Sequence, residues 1–281
     1  MRILSLDGGG VKGVLQAKIL ERLDDATGFV SSVDLFAGTS VGAISALYLA
    51  SGGTAGSLVR ELRRSARDVF GGRAEHGTME EFLGASRAAA ALRGLLEEAF
   101  GDKRVSELPR DVFVMAYDLI AMRPRVITRR DDMRIVDAAL ASSAAPLYLP
   151  VHLVKGHGSM ALIDGGVFAN NPSLKALDHL KRDDKATLLS IGAGRPVQDP
   201  QRPARRPSLL NVLFDGMESI AHAWCQRRLE KNKYFRLQPD LLEEVGLDDV
   251  EKVPALVHQG ENMDLEDAET WIKLRWIGLE D

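Results

Sequence analysis

Short apolar runs alternate along this chain with longer stretches whose apolar side chains recur every three or four positions. Arg2–Leu6, Leu35 to Ala37, Asp111–Asp118, Arg125–Thr128, Ala161–Asp164, Thr187–Ile191 and Tyr234–Leu237 read as strands. Helical spacing follows most of them. It runs through Val14, Leu15, Ile19, Leu20 and Leu23, then through Val41, Ile44, Leu47 and Tyr48, and again over Leu58–Phe70 and Met79–Phe100. Further helices are predicted from about Ile135, over Ser173–Lys181 with Asn171 as N-cap and Pro172 in the first turn, and from Leu209 to about Lys231. Strands that alternate with helices throughout argue for an α/β protein, a three-layer α/β/α arrangement around a mostly parallel central sheet. No composition shift or repeat marks a boundary, so residues 1–281 are expected to form a single domain.

The stretch that organises the pattern is Gly38-Thr39-Ser40-Val41-Gly42, where an apolar run ends and a small-residue helix begins. This G-x-S-x-G spacing is that of a sharp strand-to-helix turn that lifts the serine hydroxyl clear of the backbone. The flanking Gly38 and Gly42 leave room where a Cβ would collide. Two other strands end comparably. Arg2–Leu6 stops at Asp7-Gly8-Gly9-Gly10-Val11-Lys12-Gly13, a turn whose free amides suit an anion, and Ala161–Ile163 stops at Asp164-Gly165-Gly166. Gly8 to Gly13 also satisfies G-x-G-x-x-G, with Asp34 about 20 residues on. In a dinucleotide fold that acid ends the second strand, whereas here Asp34 precedes it, so the nucleotide reading is set aside. A Walker A reading fails because Val14 and Leu15 occupy the positions of its Lys-Ser/Thr.

Composition narrows the picture. With 45% hydrophobic and 27% charged residues and a net charge of −4, the chain is an ordinary globular sequence with no sign of a nucleic-acid partner. Cys225 is the only cysteine, which excludes an internal disulfide and a paired-cysteine metal site. The first strand begins at Arg2 and no apolar run nears the ~20 residues of a spanning helix, so the expectation is a soluble, cytoplasmic protein without a signal peptide.

Ligands of open α/β sheets bind beyond the carboxyl ends of the strands, so the glycine loop, Ser40 and Asp164 can share one site. That set suits acyl transfer. Ser40 would attack an ester carbonyl and the Gly9 and Gly10 amides would form the oxyanion hole. The base is less obvious. His179, His222 and His258 follow Asp164, as a Ser…Asp…His order requires, but His179 sits in a polar helix stretch and the other two lie inside helical patterns. His76, His152 and His157 precede Asp164. Asp164 is instead held at a strand end by a Gly-Gly turn.

Taken together, these motifs resemble those of the patatin-like phospholipases, a family of serine lipid acyl hydrolases. Asp7 to Gly13 matches the family's D-G-G-G-x-[KR]-G, Gly38 to Gly42 its G-x-S-x-G, and Asp164 to Gly166 its D-G-[GA]. The segments 142–150, Asn170-Asn171-Pro172 and 189–194 follow the same pattern, so the resemblance covers about residues 1–195, with a helical C-terminal part over about 208–281. The stretch from Leu247-Asp248-Asp249 onward resembles the family's C-terminal tail. The resemblance implies a patatin-like fold and a Ser40–Asp164 dyad that needs no histidine, metal or cofactor. It also implies that the first-motif glycines form the oxyanion hole and that Lys12 steadies a substrate phosphate. The expected substrate is a phospholipid or other acyl-ester lipid. Two alternatives are a lipase effector gated by a regulator or cyclic nucleotide, in defence or toxin action, and an inactive binding scaffold.

Lipid contact would then be peripheral. Two stretches offer it: Gly71 to Phe100, with Phe82, Leu83, Leu92, Leu95 and Leu96 and a glycine-flanked connection, and the arginine- and proline-rich loop from Arg195 to Pro207. The apolar stretch is the preferred one, because a lipid tail must enter a dry pocket near Ser40.

Overall fold

The computed structural model describes residues 1–71, 79–154, 160–180, 185–197 and 209–278. Seven strands lie in the order β5 (His152–Val154), β6 (Met160–Asp164), β3 (Asp111–Asp118), β2 (Leu35–Thr39), β1 (Arg2–Leu6), β7 (Thr187–Ile191) and β9 (Tyr234–Leu237), and β4 (Arg123–Ile127) also pairs with β3. From β3 to β9 all neighbours are parallel, whereas β4, β5 and β6 form antiparallel pairs at the other edge.

Alternation along the central strands makes the layers. Leu4, Phe36, Val112, Val114 and Leu189 face the larger core, covered by α1 (Gly13–Thr27), α2 (Val41–Ala50), α3 (Ala55–Phe70), α4 (Met79–Phe100), α5 (Ile135–Ser143) and α9 (Val253–Asn262). Ile3, Leu35, Ala37, Phe113 and Leu188 face a smaller core under α6 (Gly166–Ala169), α7 (Ser173–Asp178) and α8 (Leu209–Arg228). Near the carboxyl edge this second face turns polar. There Ser173 Oγ lies within hydrogen-bond distance of both Ser5 Oγ, at 2.8 Å, and Ser190 Oγ, at 2.9 Å, donating to one and accepting from the other, all three residues fully buried.

Several boundaries differ from the pattern-based reading. α3 begins at Ala55 because Thr54 caps it, in a reciprocal capping box with Ser57. Pro172, not Asn171, is the residue before α7, although Asn171 Oδ1 does accept the Ser173 amide at 2.9 Å. α7 stops at Asp178, three residues short of Lys181, and α8 at Arg228. Arg195–Pro196, expected in a loop, is a short strand (β8) beside β10 (Asp240–Leu241). The last regular element is α10 (Glu266–Trp271), continued by a π-helical turn over Ile272–Ile277.

Candidate active site

Ser40 stands between β2 and α2 with φ 56° and ψ −126°, a left-handed conformation that costs a non-glycine residue on the order of 1–3 kcal/mol. Its surroundings compel it. A Cβ on Gly38 would lie 2.2 Å from the Gly42 carbonyl oxygen, and one on Gly42 would lie 2.2 Å from that of Leu6, so helix and strands pack backbone to backbone. The Ser40 amide donates to Ser142 Oγ at 2.9 Å, and the Ser142 hydroxyl passes its own hydrogen to the Met115 carbonyl at 2.6 Å. Thr39 Oγ1 donates to the Ala169 carbonyl at 2.7 Å, tying the elbow to α6. The Ser142 contact was not legible in the sequence. Its signals were a serine in a small-residue helix end and the family pattern over 142–150, neither of which names the partner.

Asp164 arrives from an antiparallel strand. Its partner in register is Ala116, one step past the Met115–Thr39 pair, so its carboxyl comes level with Ser40. The side chain is 1% exposed, accepts the Gly166 amide on Oδ1 at 2.7 Å, and faces the Ser40 side chain. Burial pushes its carboxyl up to about 6, against the hydrogen bonds from Ser40 and Gly166. Gly165 is required by close packing, because its Cβ would meet the Met115 backbone at 2.4 Å.

The glycine loop faces the same point. Gly10 has φ 57° and sits so close to Leu247 that a Cβ would meet that carbonyl oxygen at 2.1 Å, while the Val11 amide donates to the same oxygen at 2.9 Å. Gly8 has its amide taken by the Asn170 carbonyl at 3.1 Å. Among the described residues the Gly9 and Gly10 amides donate to no protein acceptor. Gly13 packs directly on Val41, and the Lys12 stem lies over Gly9. The acidic groups facing Lys12 are Glu218 and Glu244.

An apolar cleft opens beside Ser40 between α2, α3 and α4, lined by Val14, Val41, Ile44, Leu62, Ala66 and Leu92, with Tyr148, Leu149 and Leu247 at other walls. Leu92 and Leu96 are 5% and 4% exposed and Leu95 is half-buried, so this part of α4 packs inward. That corrects the expectation that these leucines present an outward apolar face. The side chains of Phe82 and Leu83 lie outside the described residues, as do Gly72, Gly77 and residues 198–207.

The four described histidines make contacts elsewhere. His179 meets Phe113 edge to face with ring centroids 4.4 Å apart. His222 Nδ1 is 3.0 Å from Tyr234 Oη, His152 pairs with Asp137 at 3.1 Å, and His258 is exposed. His76 and His157 lie outside the described residues. Asp34 sits at the amino end of β2, where Oδ2 accepts the Arg2 amide at 2.7 Å, far from the role a dinucleotide would require. Among the described residues no group of three or more His, Cys, Asp or Glu side chains gathers as a metal site.

The architecture is thus that of an α/β protein presenting a serine on an elbow at the carboxyl edge of its sheet. The patatin-like phospholipase family model matches residues 4–177, and the chain belongs to that family. It is 31% identical over 260 residues to a cGAMP-activated phospholipase of Pseudomonas aeruginosa, covering 84% of this chain and 77% of that one. A cGAMP-activated phospholipase of Escherichia coli is 33% identical over 205 residues, 66% of this chain and 57% of the relative. Patatin-like protein 2 of Arabidopsis thaliana is 28% identical over 214 residues, 64% and 53% respectively. This chain therefore spans little more than half the length of some of the curated relatives it matches. The crystal structure of VipD from Legionella pneumophila aligns over 92% of this chain and 67% of its own, with 12% identity and a TM-score of 0.46.

Proposed function

We propose that this chain is a lipid acyl hydrolase that works through a Ser40–Asp164 dyad. The observation that carries the reading is a buried Asp164 carboxyl set against the Ser40 side chain at the mouth of an apolar cleft. Asp164, ionised, takes the Ser40 proton as Oγ attacks the ester carbonyl carbon. The carbonyl oxygen becomes an oxyanion and accepts from the Gly9 and Gly10 amides, each donor being worth roughly 3–4 kcal/mol in such sites. Collapse breaks the ester C–O bond, and the leaving alcohol takes the proton back from Asp164. Water then gives its proton to Asp164, attacks the acyl-Ser40 ester and frees the fatty acid, while Ser40 recovers its hydrogen. No step calls on a metal or cofactor.

The cleft suits an acyl chain. Lys12 supplies a positive charge beside the glycine loop that fits a phospholipid head group. Contact with the lipid is peripheral in this reading, from the cytoplasmic side. Among the described residues no helix is long and apolar enough to cross a membrane. Leu147, beside the cleft residues Tyr148 and Leu149, and Leu242, on the segment leading to Leu247, are 84% and 81% exposed and suit shallow insertion. The deciding experiment incubates the protein with phospholipid vesicles and measures released fatty acid. No release by the wild type, together with no labelling by a fluorophosphonate, would overturn the reading and favour an inactive scaffold.

A second reading adds a gate. Two relatives are named as cGAMP-activated phospholipases, which supports testing this chain for control by a cyclic dinucleotide, as in a defence effector. A site that prefers the folded state adds about 2.7 kcal/mol at 100 Kd, well within reach of thermal shift.

A further inference from the structure

Beneath the glycine loop, on the side of the sheet away from the apolar cleft, four charged groups meet. Asp7 is fully buried and receives a two-pronged bond from Arg236 on β9, Nη1 to Oδ1 at 2.9 Å and Nη2 to Oδ2 at 2.5 Å. Glu218 Oε2 on α8 lies 3.6 Å from Arg236 Nη2, and Lys12 faces Glu218 from the loop itself. Asn170 links this cluster to the loop. Its Nδ2 donates both to the Gly8 carbonyl at 3.2 Å and, in a short bond, to Glu218 Oε1.

We propose that Glu218 is a positioning residue for the active site, holding the Asn170 amide in the one orientation that anchors Gly8 and so aims the Gly9 and Gly10 amides at the acyl oxygen. The proposal rests on the acyl-hydrolase reading above. An amide has two orientations of nearly equal shape, and the neighbours must choose between them. The Gly8 carbonyl and an ionised Glu218 are both acceptors, so both demand Nδ2. Asn170 Oδ1 is left buried without a partner among the described residues, pointing to where a Gly8 Cβ would be 2.4 Å away. A protonated Glu218 can donate to Oδ1, and that removes one of the two penalties on the reversed amide, leaving the Gly8 carbonyl alone to hold the orientation. Charge points the same way. Ionised Glu218 is a counter-charge shared by Arg236 and Lys12 below the loop, and protonating it withdraws that charge from both.

Glu218 is poised for this change. Burial, and then the Asp7 carboxylate, raise its carboxyl to about 7 against Arg236, Asn170 and Lys12. On the same helix, His222 is lowered by its own burial and by Arg236 and Arg195, and burial raises the Cys225 thiol. Activity should therefore rise with pH in two steps, the lower from Asp164 near 6 and the upper from Glu218 near 7.

The test compares wild type with Glu218→Gln and Glu218→Asp, using phospholipid vesicles and the rate of fluorophosphonate labelling from pH 5 to 9. Glu218→Gln is expected to lose kcat about tenfold at pH 8 with KM held within about twofold, and to lack the upper step. Glu218→Asp, which keeps the charge, should retain the upper step and recover part of the rate. Two results would overturn the proposal with the hydrolase reading intact: an active wild type whose Glu218→Gln variant keeps kcat and both steps, or a rate loss that follows a lowered melting temperature while the profile is unchanged. A wild type that neither hydrolyses acyl esters nor labels sinks the hydrolase reading, and this proposal with it.

Discussion

Asp164 pairs with Ala116 in an antiparallel register one residue past the parallel Met115–Thr39 pair, and this places its carboxyl beside Ser40. β6 therefore approaches the site against the direction of the strands that carry the other two motifs. The strand-end argument that put the three motifs together is right for the glycine loop and Ser40. It reaches Asp164 only because β3 runs on to Asp118 and lets β6 return along it.

Ser40→Ala should abolish both hydrolysis and fluorophosphonate labelling. The left-handed elbow gives the hydroxyl an exposed path to substrate, and no other described serine shares it. Persistent labelling of the variant, located by peptide mass spectrometry, would reassign the nucleophile.

Asp164→Asn should cost several orders of magnitude in turnover and yet stabilise the fold at alkaline pH. A carboxyl raised from 3.8 to about 6 favours the folded state below the unfolded value, and that advantage fades as pH rises through about 6. Asn carries no such cost of ionisation. At pH 8 the variant should gain on the order of 3 kcal/mol, several degrees in Tm, and at pH 4 almost nothing. Calorimetry at the two pH values checks this, and equal shifts at both would contradict it.

Single alanine replacements of His179, His222 and His258 should leave most of the activity. Their rings contact Phe113, Tyr234 and Asn262 respectively. Steady-state kinetics of the three variants decides the point, and a loss as deep as that of Ser40→Ala in any of them would replace the dyad by a triad.

Ser142→Ala removes the acceptor of the Ser40 amide and the donor to the Met115 carbonyl in a fully buried position. Two orphaned buried groups should cost about 1–3 kcal/mol each. Because one of them holds the strained elbow, kcat should fall by about tenfold, more than KM changes. Denaturant titration and kinetics together test this. A variant that loses stability but keeps its kcat would show the contact to be structural only.

Leu147→Ser with Leu242→Ser should weaken sedimentation with neutral vesicles while leaving hydrolysis of a soluble short-chain ester intact, since neither side chain lines the cleft. Apolar insertion is largely insensitive to salt. Binding that vanishes at high salt or requires anionic lipid would instead point to basic side chains such as Arg195.

The sequence by itself determined the elements and the chemistry that stand on local rules. Alternation and helical spacing marked β1, β2, β3, β7 and β9 and the helices between them, because burial on one or both faces leaves a period in the chain. The glycines around Ser40, at the first loop and after Asp164 were legible because only they permit those turns and close approaches, and nearly all of the candidate site follows from them. What supports the site was decided by the tertiary structure alone. Ser142, Asn170, Glu218, Arg236 and the Leu247 carbonyl meet the motifs across 102 to 236 residues of chain, and serines, acids and arginines look the same in a sequence whether solvated or buried. Their partners exist only once the sheet has brought β9 and α8 back beneath the first loop, where burial turns an ordinary glutamate and arginine into groups that must find one another.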